Sequence, residues 1–278
     1  TQHRNGVAVI QEVANLMLIG GHIGKKGAGL CPVRGHSNVQ GDRTVGIWER
    51  PTESFLSRLD EACGICCPRV LGVVVVQAIS MMNTGDVHLF FCLGGNFLSA
   101  TPDSEITARG LMNVKLTVQV STKLNRSHLV TGKTALILPC LGRTEVDLQE
   151  SGKQFVTVEN SMGIVHMSEG SVQPVSPYLR SEPWIISHLC NAVLPNERNW
   201  LEFANNYDNI RDLMSRALFG FEDYNNRVRK ENGFLLPNPP RDSRTFSTAT
   251  GKANLLSHPL PDLSIPEGKF VMITILSL

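Results

Sequence analysis

Apolar positions Val9, Val13, Leu16 and Met17 recur at helical spacing through residues 6–19, and Gly20-Gly21 closes the run, so the pattern predicts a helix there. Residues 51–62 and 73–83 predict two more, although the β-branched residues 73–76 favour extended backbone at the start of the second. The period then changes. Residues 87–93 form an apolar-rich run of the kind a buried strand presents, and it stops at Gly94-Gly95-Asn96. A helix over about 102–112 and a strand over 115–120 complete a βαβ unit, whose crossover requires parallel strands. Short strands at 135–138 and 155–158 read as continuing that sheet, helices at 181–193 and 207–231 as covering it, and the proline-punctuated stretch 236–247 as an irregular linker. The expected fold is α/β: a three-layer, mostly parallel, doubly wound sheet with covering helices, incomplete at both ends.

In open parallel sheets ligands bind beyond the carboxyl ends of the strands, which directs attention to residues 94–96, 121–126 and 139–145. Composition narrows the ligand. With 18% charged residues and a net charge of +1, the chain has no basic field for nucleic acid, and no apolar run approaches the roughly 20 residues a membrane span needs. Seven cysteines, an odd number in a chain large enough to need no staples, fit a reducing compartment and a cytoplasmic location. The chain opens on Thr1 without a signal-peptide layout, and residues 270–278 are an apolar run with no closing turn, so it is expected to be an internal piece of a longer protein.

Eight glycines, Gly20 and Gly46 included, fall within residues 20–46, marking a long loop of functional use. Gly20-Gly21-His22-Ile23-Gly24-Lys25-Lys26 fails as a nucleotide-binding P-loop because its glycines are too close and no Ser or Thr follows the lysine. Ser127 likewise stands where the first glycine of a P-loop ending in Gly132-Lys133-Thr134 is required. Cys63, Cys66 and Cys67 have thiolate spacing but no second Cys or His pair nearby, so they read as ordinary thiols, and no metal ligand is assigned within the chain. The richest polar stretch is residues 32–43. Arg34 can fork onto an oxyanion, His36 brings an imidazole, and Asn38 and Gln40 offer donors and acceptors; a solvated loop capping its neighbours is the equal alternative. Residues 122–128 follow a strand and could hold phosphate or a guanine edge, or simply start a helix with Ser121 or Thr122 as its cap.

The loop Gly20–Gly29, followed by Pro32-Val-Arg-Gly-His-Ser-Asn-Val-Gln-Gly41, closely resembles that of molybdopterin-dependent formate dehydrogenase alpha subunits. Leu93-Gly94-Gly95-Asn96, Thr122-Lys-Leu-Asn-Arg-Ser127, Ile137-Leu-Pro139, Leu141-Gly-Arg-Thr-Glu145 and Ala249-Thr-Gly-Lys-Ala253 follow in that family's order, and the similarity to its formate dehydrogenase-like subgroup extends over nearly the whole chain. The resemblance implies a bis-molybdopterin guanine dinucleotide cofactor carrying molybdenum or tungsten between α/β domains. It implies a catalytic role for Arg34 and His36 on the substrate side of the metal. It implies that Asn38, Gln40, Gly94, Gly95, Asn96, Ser121, Lys123, Asn125 and Arg143 hold the cofactor, with Gln154 and Glu145 behind them.

The metal-ligating Cys, selenocysteine or Ser, and any 4Fe-4S cysteines, are then expected upstream of Thr1. The expected division is residues 1–45 as the end of a preceding α/β domain, 46–262 as a dinucleotide-arm domain and 263–278 as the start of a β-barrel. The implied partners are the pterin, a small formate-like substrate and the remaining domains of the parent chain. The alternative is a non-catalytic, truncated α/β module of nucleotide-binding type.

Overall fold

The computed structural model describes residues 3–33, 36, 38–262 and 264–270; Arg34, and most of the segment expected to open a barrel, lie outside them. The chain forms two units. One comprises Thr1–Pro32 and Pro237–Leu278, and the other is Val33–Leu236.

In the first unit, α1 (Gly6–Ile19) occupies the span its apolar spacing predicts. Gly21, at φ 67°, turns the chain out of the helix through a left-handed conformation that costs glycine least. The side-chain amide of Asn15, buried in the helix, bridges the backbone of Leu256 at both ends: Nδ2 donates to the Leu256 carbonyl at 2.6 Å and Oδ1 accepts from its N–H at 3.3 Å.

The second unit begins with α2 (Val39–Thr44), α3 (Glu53–Cys63) and α4 (Val75–Thr84). The βαβ core follows as β1 (Leu89–Leu93), α5 (Phe97–Ala100), α6 (Ser104–Asn113), β2 (Leu116–Ser121) and then β3 (Thr134–Pro139). Asp103 starts α6 by accepting the Glu105 and Ile106 N–H groups, each at 3.0 Å, which otherwise have no partner in a first helical turn. β1 pairs in parallel with β2, and β2 with β3, so the α/β reading holds. Met82, Leu98, Leu111 and Val114 form the core of this half, with Phe90 of β1 packed against them.

The remainder is antiparallel. β4 (Asp147–Gln149) and β5 (Gly152–Gln154) form a hairpin, and β6 (Val156–Glu159), β7 (Ile164–Ser168) and β8 (Phe234–Leu235) a separate sheet. The strand expected at 155–158 therefore exists but does not extend the parallel sheet. Asn160 accepts from the N–H groups of Met162 and Ile164, and Gly163 at φ 78° completes a tight turn, which can join only antiparallel neighbours.

α7 (Glu182–Val193) matches its prediction, and α8 (Leu201–Asn205) comes next. The helix expected over 207–231 divides into α9 (Tyr207–Ala217) and α10 (Tyr224–Val228), broken by Gly220 at φ 86° and Asp223 at φ 54°. The break inserts Leu218 and Phe221 into a core with Phe155, Val165, Tyr224 and Phe234, where the rings of Phe221, Tyr224 and Phe234 meet edge to face. A short α11 (Pro239–Ser243), in the first unit, lies within the predicted linker.

Candidate functional site at the carboxyl edge of the parallel sheet

Because β1, β2 and β3 run in parallel, their carboxyl ends share one edge. At the end of β1, Gly94 and Gly95 take φ 72° and 81°, and a Cβ on either would meet nothing within 4 Å. Glycine is thus required by backbone angle, while the outer surface of the turn stays open to an approaching group. Asn125 binds this turn to the loop after β2, its Nδ2 donating to the Gly95 carbonyl at 2.9 Å.

Beneath the two loops lies Ser127, only 3% exposed. Its hydroxyl donates to Asn96 Oδ1 and accepts from Leu98 N–H, both at 2.9 Å, while Gln119 Nε2 donates to its carbonyl at 3.0 Å. Asn125, rather than Ser121 or Thr122, caps the short helical turn Arg126–Leu129, with His128 completing a capping box. The helix-start reading of this segment is therefore correct in kind, and Asn125 serves both the cap and the loop junction. Ser121 donates to the Lys123 carbonyl at 2.9 Å and accepts, through its own carbonyl, the Cys140 N–H from the end of β3. Lys123 is exposed.

The loop after β3 opens on a cavity of about 420 Å³ whose walls include Asn38, Thr122, Arg143, Gln154, Glu182 and Tyr207. Arg143 Nε donates to Ser168 Oγ at 3.1 Å. Glu145 is committed to the fold: it accepts Gly142 N–H at 2.6 Å and Val175 N–H at 3.3 Å, bracing the turn that carries Arg143. Gln154 is buried and joins Ser151 to the Tyr207 N–H. The Tyr207 hydroxyl donates to Asp147 and bonds with Ser181 Oγ. Burial, reinforced by the Asp147 carboxylate, raises its pKa well above the ordinary phenol value, so it remains a neutral donor. At the start of α7, desolvation raises the Glu182 carboxyl, and the Arg143 charge opposes the shift.

Asn38 enters from the glycine-rich loop in a left-handed conformation, φ 67°, and its Oδ1 accepts the Glu159 N–H at 3.0 Å. A Cβ on Gly41 would lie 2.0 Å from that oxygen, so the glycine is what lets the Asn38 amide cross α2.

Of the residues expected from the sequence, Asn38 and Arg143 share the cavity, whereas Gly94, Gly95, Asn96, Ser121, Lys123 and Asn125 cluster at the sheet edge, linked to the cavity by Thr122. Gln40 sits on α2, His36 is exposed, and Arg34 lies outside the described residues. Glu182 and Tyr207 escaped the sequence reading; the only local sign was Ser181-Glu182-Pro183, a helix start with its acidic residue in the first turn. Among the described residues no group of three or more His, Cys, Asp or Glu side chains is gathered as a metal site, and no helix is long and apolar enough to cross a membrane.

No family model matches the chain. It is 53% identical over its whole length to an uncharacterised oxidoreductase of Mycobacterium tuberculosis, covering 36% of that protein. It is 45% identical over 258 residues to protein YdeP of Escherichia coli, covering 92% of this chain and 34% of YdeP. Over 257 residues it is 24% identical to the assimilatory nitrate reductase catalytic subunit of Bacillus subtilis, covering 87% of this chain and 34% of the relative. The chain thus spans about a third of the length of these curated relatives, of which the mycobacterial protein and the nitrate reductase subunit are oxidoreductases by name.

Proposed function

We propose that this chain is the cofactor-holding part of a molybdopterin-dependent oxidoreductase of the formate dehydrogenase-like kind. In this reading residues 1–45 close a preceding α/β domain, 46–262 hold a dinucleotide arm and 263–278 open a β-barrel. The observation that carries the reading is the junction of the Gly94-Gly95 turn with the loop after β2 at one sheet edge, adjoining a cavity walled by Arg143 and Asn38.

The chemistry of these residues suits a molybdopterin guanine dinucleotide. The open glycine turn admits a pyrophosphate close to backbone, Lys123 and Arg143 supply positive charge for it, and the Glu182 carboxyl can accept N–H groups of a pterin or guanine edge. Bound there as a bis-pterin pair with molybdenum or tungsten, the cofactor supplies two-electron redox chemistry; the protein binds and orients it. Asn125 and Ser127 hold the loops in register, Glu145 sets the Arg143 turn, and Arg34 with His36 serve a small oxyanion substrate such as formate. The metal ligand and any 4Fe-4S cluster belong to the remaining two-thirds of the parent. The seven cysteines, all free thiols, support a reducing, cytoplasmic setting.

Metal and pterin analysis of the purified full-length protein tests the reading. Molybdenum or tungsten together with released guanine nucleotide is the expected result. A full-length protein that is active without metal and pterin refutes it, and one that contains neither and is inactive supports the non-catalytic module instead.

A further inference from the structure

β3 is an edge of the parallel sheet, and all of it except Leu138 is exposed. In register with β2, Leu136 stands beside Val118 and Ile137 beside Gln119, on opposite faces of the sheet. Val118 and Gln119 are each 6% exposed, whereas Leu136 is 48% and Ile137 42% exposed. The packing that buries β2 therefore stops short of β3 on both faces. At the other edge, by contrast, Phe90 of β1 packs against the core. Parallel sheets are ordinarily covered on both sides, and their strands are apolar for that reason. β3 has this composition, Thr134-Ala-Leu-Ile-Leu-Pro139, with no charged side chain of the kind that guards a free edge.

The backbone of this edge is open as well. Thr134 N–H donates to the Lys115 carbonyl at 2.9 Å and Cys140 N–H to the Ser121 carbonyl at 3.2 Å, so the even-numbered residues face β2. Ala135 and Ile137 thus turn their N–H and C=O groups outward, where they meet no partner among the described residues. The open stretch has a definite end. Leu141 N–H donates to the Arg180 carbonyl at 3.0 Å, closing the edge beyond Pro139, which has no N–H to offer. Six residues remain, about 20 Å of chain, the length of an ordinary strand.

We propose that this edge receives a further parallel strand from the part of the parent chain outside these 278 residues, its crossover covering an exposed face of β3. The chain spans about a third of the length of its relatives, which leaves ample room for a crossover of a dozen or more residues. Two copies paired through β3 would complete the hydrogen bonds but not the packing, since each brings the same uncovered Leu136 and Ile137 to the joint. Such an occupant requires the longer parent of the reading above but no particular cofactor. Metal and pterin content are therefore not its readout, and its failure leaves that reading intact.

Hydrogen–deuterium exchange of the full-length protein, resolved to single amides, provides the first test. The Ala135 and Ile137 N–H groups are expected to exchange at least about a hundredfold more slowly than unprotected amides. Exchange at the unprotected rate overturns the proposal. A crystal or electron cryo-microscopy structure of the same protein identifies the occupant. A parallel strand of the same polypeptide, from outside this chain and bonded to Ala135 and Ile137, supports the proposal. Water, residues 271–278 or a second molecule along residues 134–139 overturns it.

Discussion

The side-chain amide of Asn125 donates to the carbonyl of Gly95 across 30 residues of sequence, joining the turns that follow two adjacent parallel strands. The same residue's Oδ1 accepts the Ser127 N–H at 2.9 Å, so its two ends do different work. Asn125→Asp retains the acceptor and loses the donor, placing a carboxylate against a carbonyl. We expect a loss of about 1 to 2 kcal/mol in urea unfolding and faster amide exchange at the Gly94-Gly95 turn, with Asn125→Ala costing more because the cap goes as well. An Asp variant as stable and protected as the parent would assign the junction no energetic role.

Gly170 offers a test of packing beside the cavity. A Cβ there would lie 1.9 Å from the Glu145 carbonyl oxygen, a backbone atom that cannot swing aside. Gly170→Ala should therefore destabilise by about 1 to 3 kcal/mol or more, read as a lowered denaturant midpoint with an unchanged slope. The shift should propagate to Arg143, since Glu145 braces its turn.

A pH dependence follows from Asp60. Hydrogen bonding to Arg69, at 2.7 Å, and to the Cys67 segment holds its carboxyl down at about 2, against 3.8 for the free group. The folded-state pKa is the lower one, so the contribution is fully present above the unfolded value and disappears as pH falls through about 2. Thermal melts of the parent and Asp60→Asn should diverge above about pH 4 and converge near pH 2. A constant offset across that window would mean that Asp60 acts through something other than its charge.

Arg34 is the residue on which the proposed substrate chemistry most depends. Arg34→Lys keeps the charge and loses the planar fork, so kcat/KM of the full-length enzyme is expected to fall by about ten- to a thousandfold with cofactor content intact. Full activity would make Arg34 a structural loop residue, and loss of the pterin would make it a cofactor ligand.

What could be read from the sequence depended on how far apart the cooperating residues lie. α1 and the βαβ unit declare themselves because an apolar period over 10 or so residues is a local signal. The sheet-edge loops followed from strand ends alone, which is why Gly94, Gly95, Asn96 and Asn125 could be named before the fold was known. α2 was hidden because six residues introduced by a left-handed Asn38 carry no period, and the hairpin of β4 and β5 because three-residue strands are too short to alternate visibly. β6 was recognisable as a strand, but its partner was set by Asn160 and Gly163, turn residues whose hydrogen bonds decide direction. Glu182 and Tyr207 reach the cavity from helices well downstream of the loops they face, and nothing local in a chain reports a neighbour supplied by folding.

The Asn15 amide bridge to Leu256 spans 241 positions and makes the first unit a product of segments on either side of the second. That fixes an order of events during synthesis. All of residues 33–236 are made, and free to consolidate, before the backbone that Asn15 grips has been joined to the growing chain. Until then α1 has emerged without the backbone that its Asn15 side chain binds. Nascent chains stalled just before and just after Leu256 leaves the ribosome should therefore differ in protease resistance at α1, while the middle of the chain is equally protected in both.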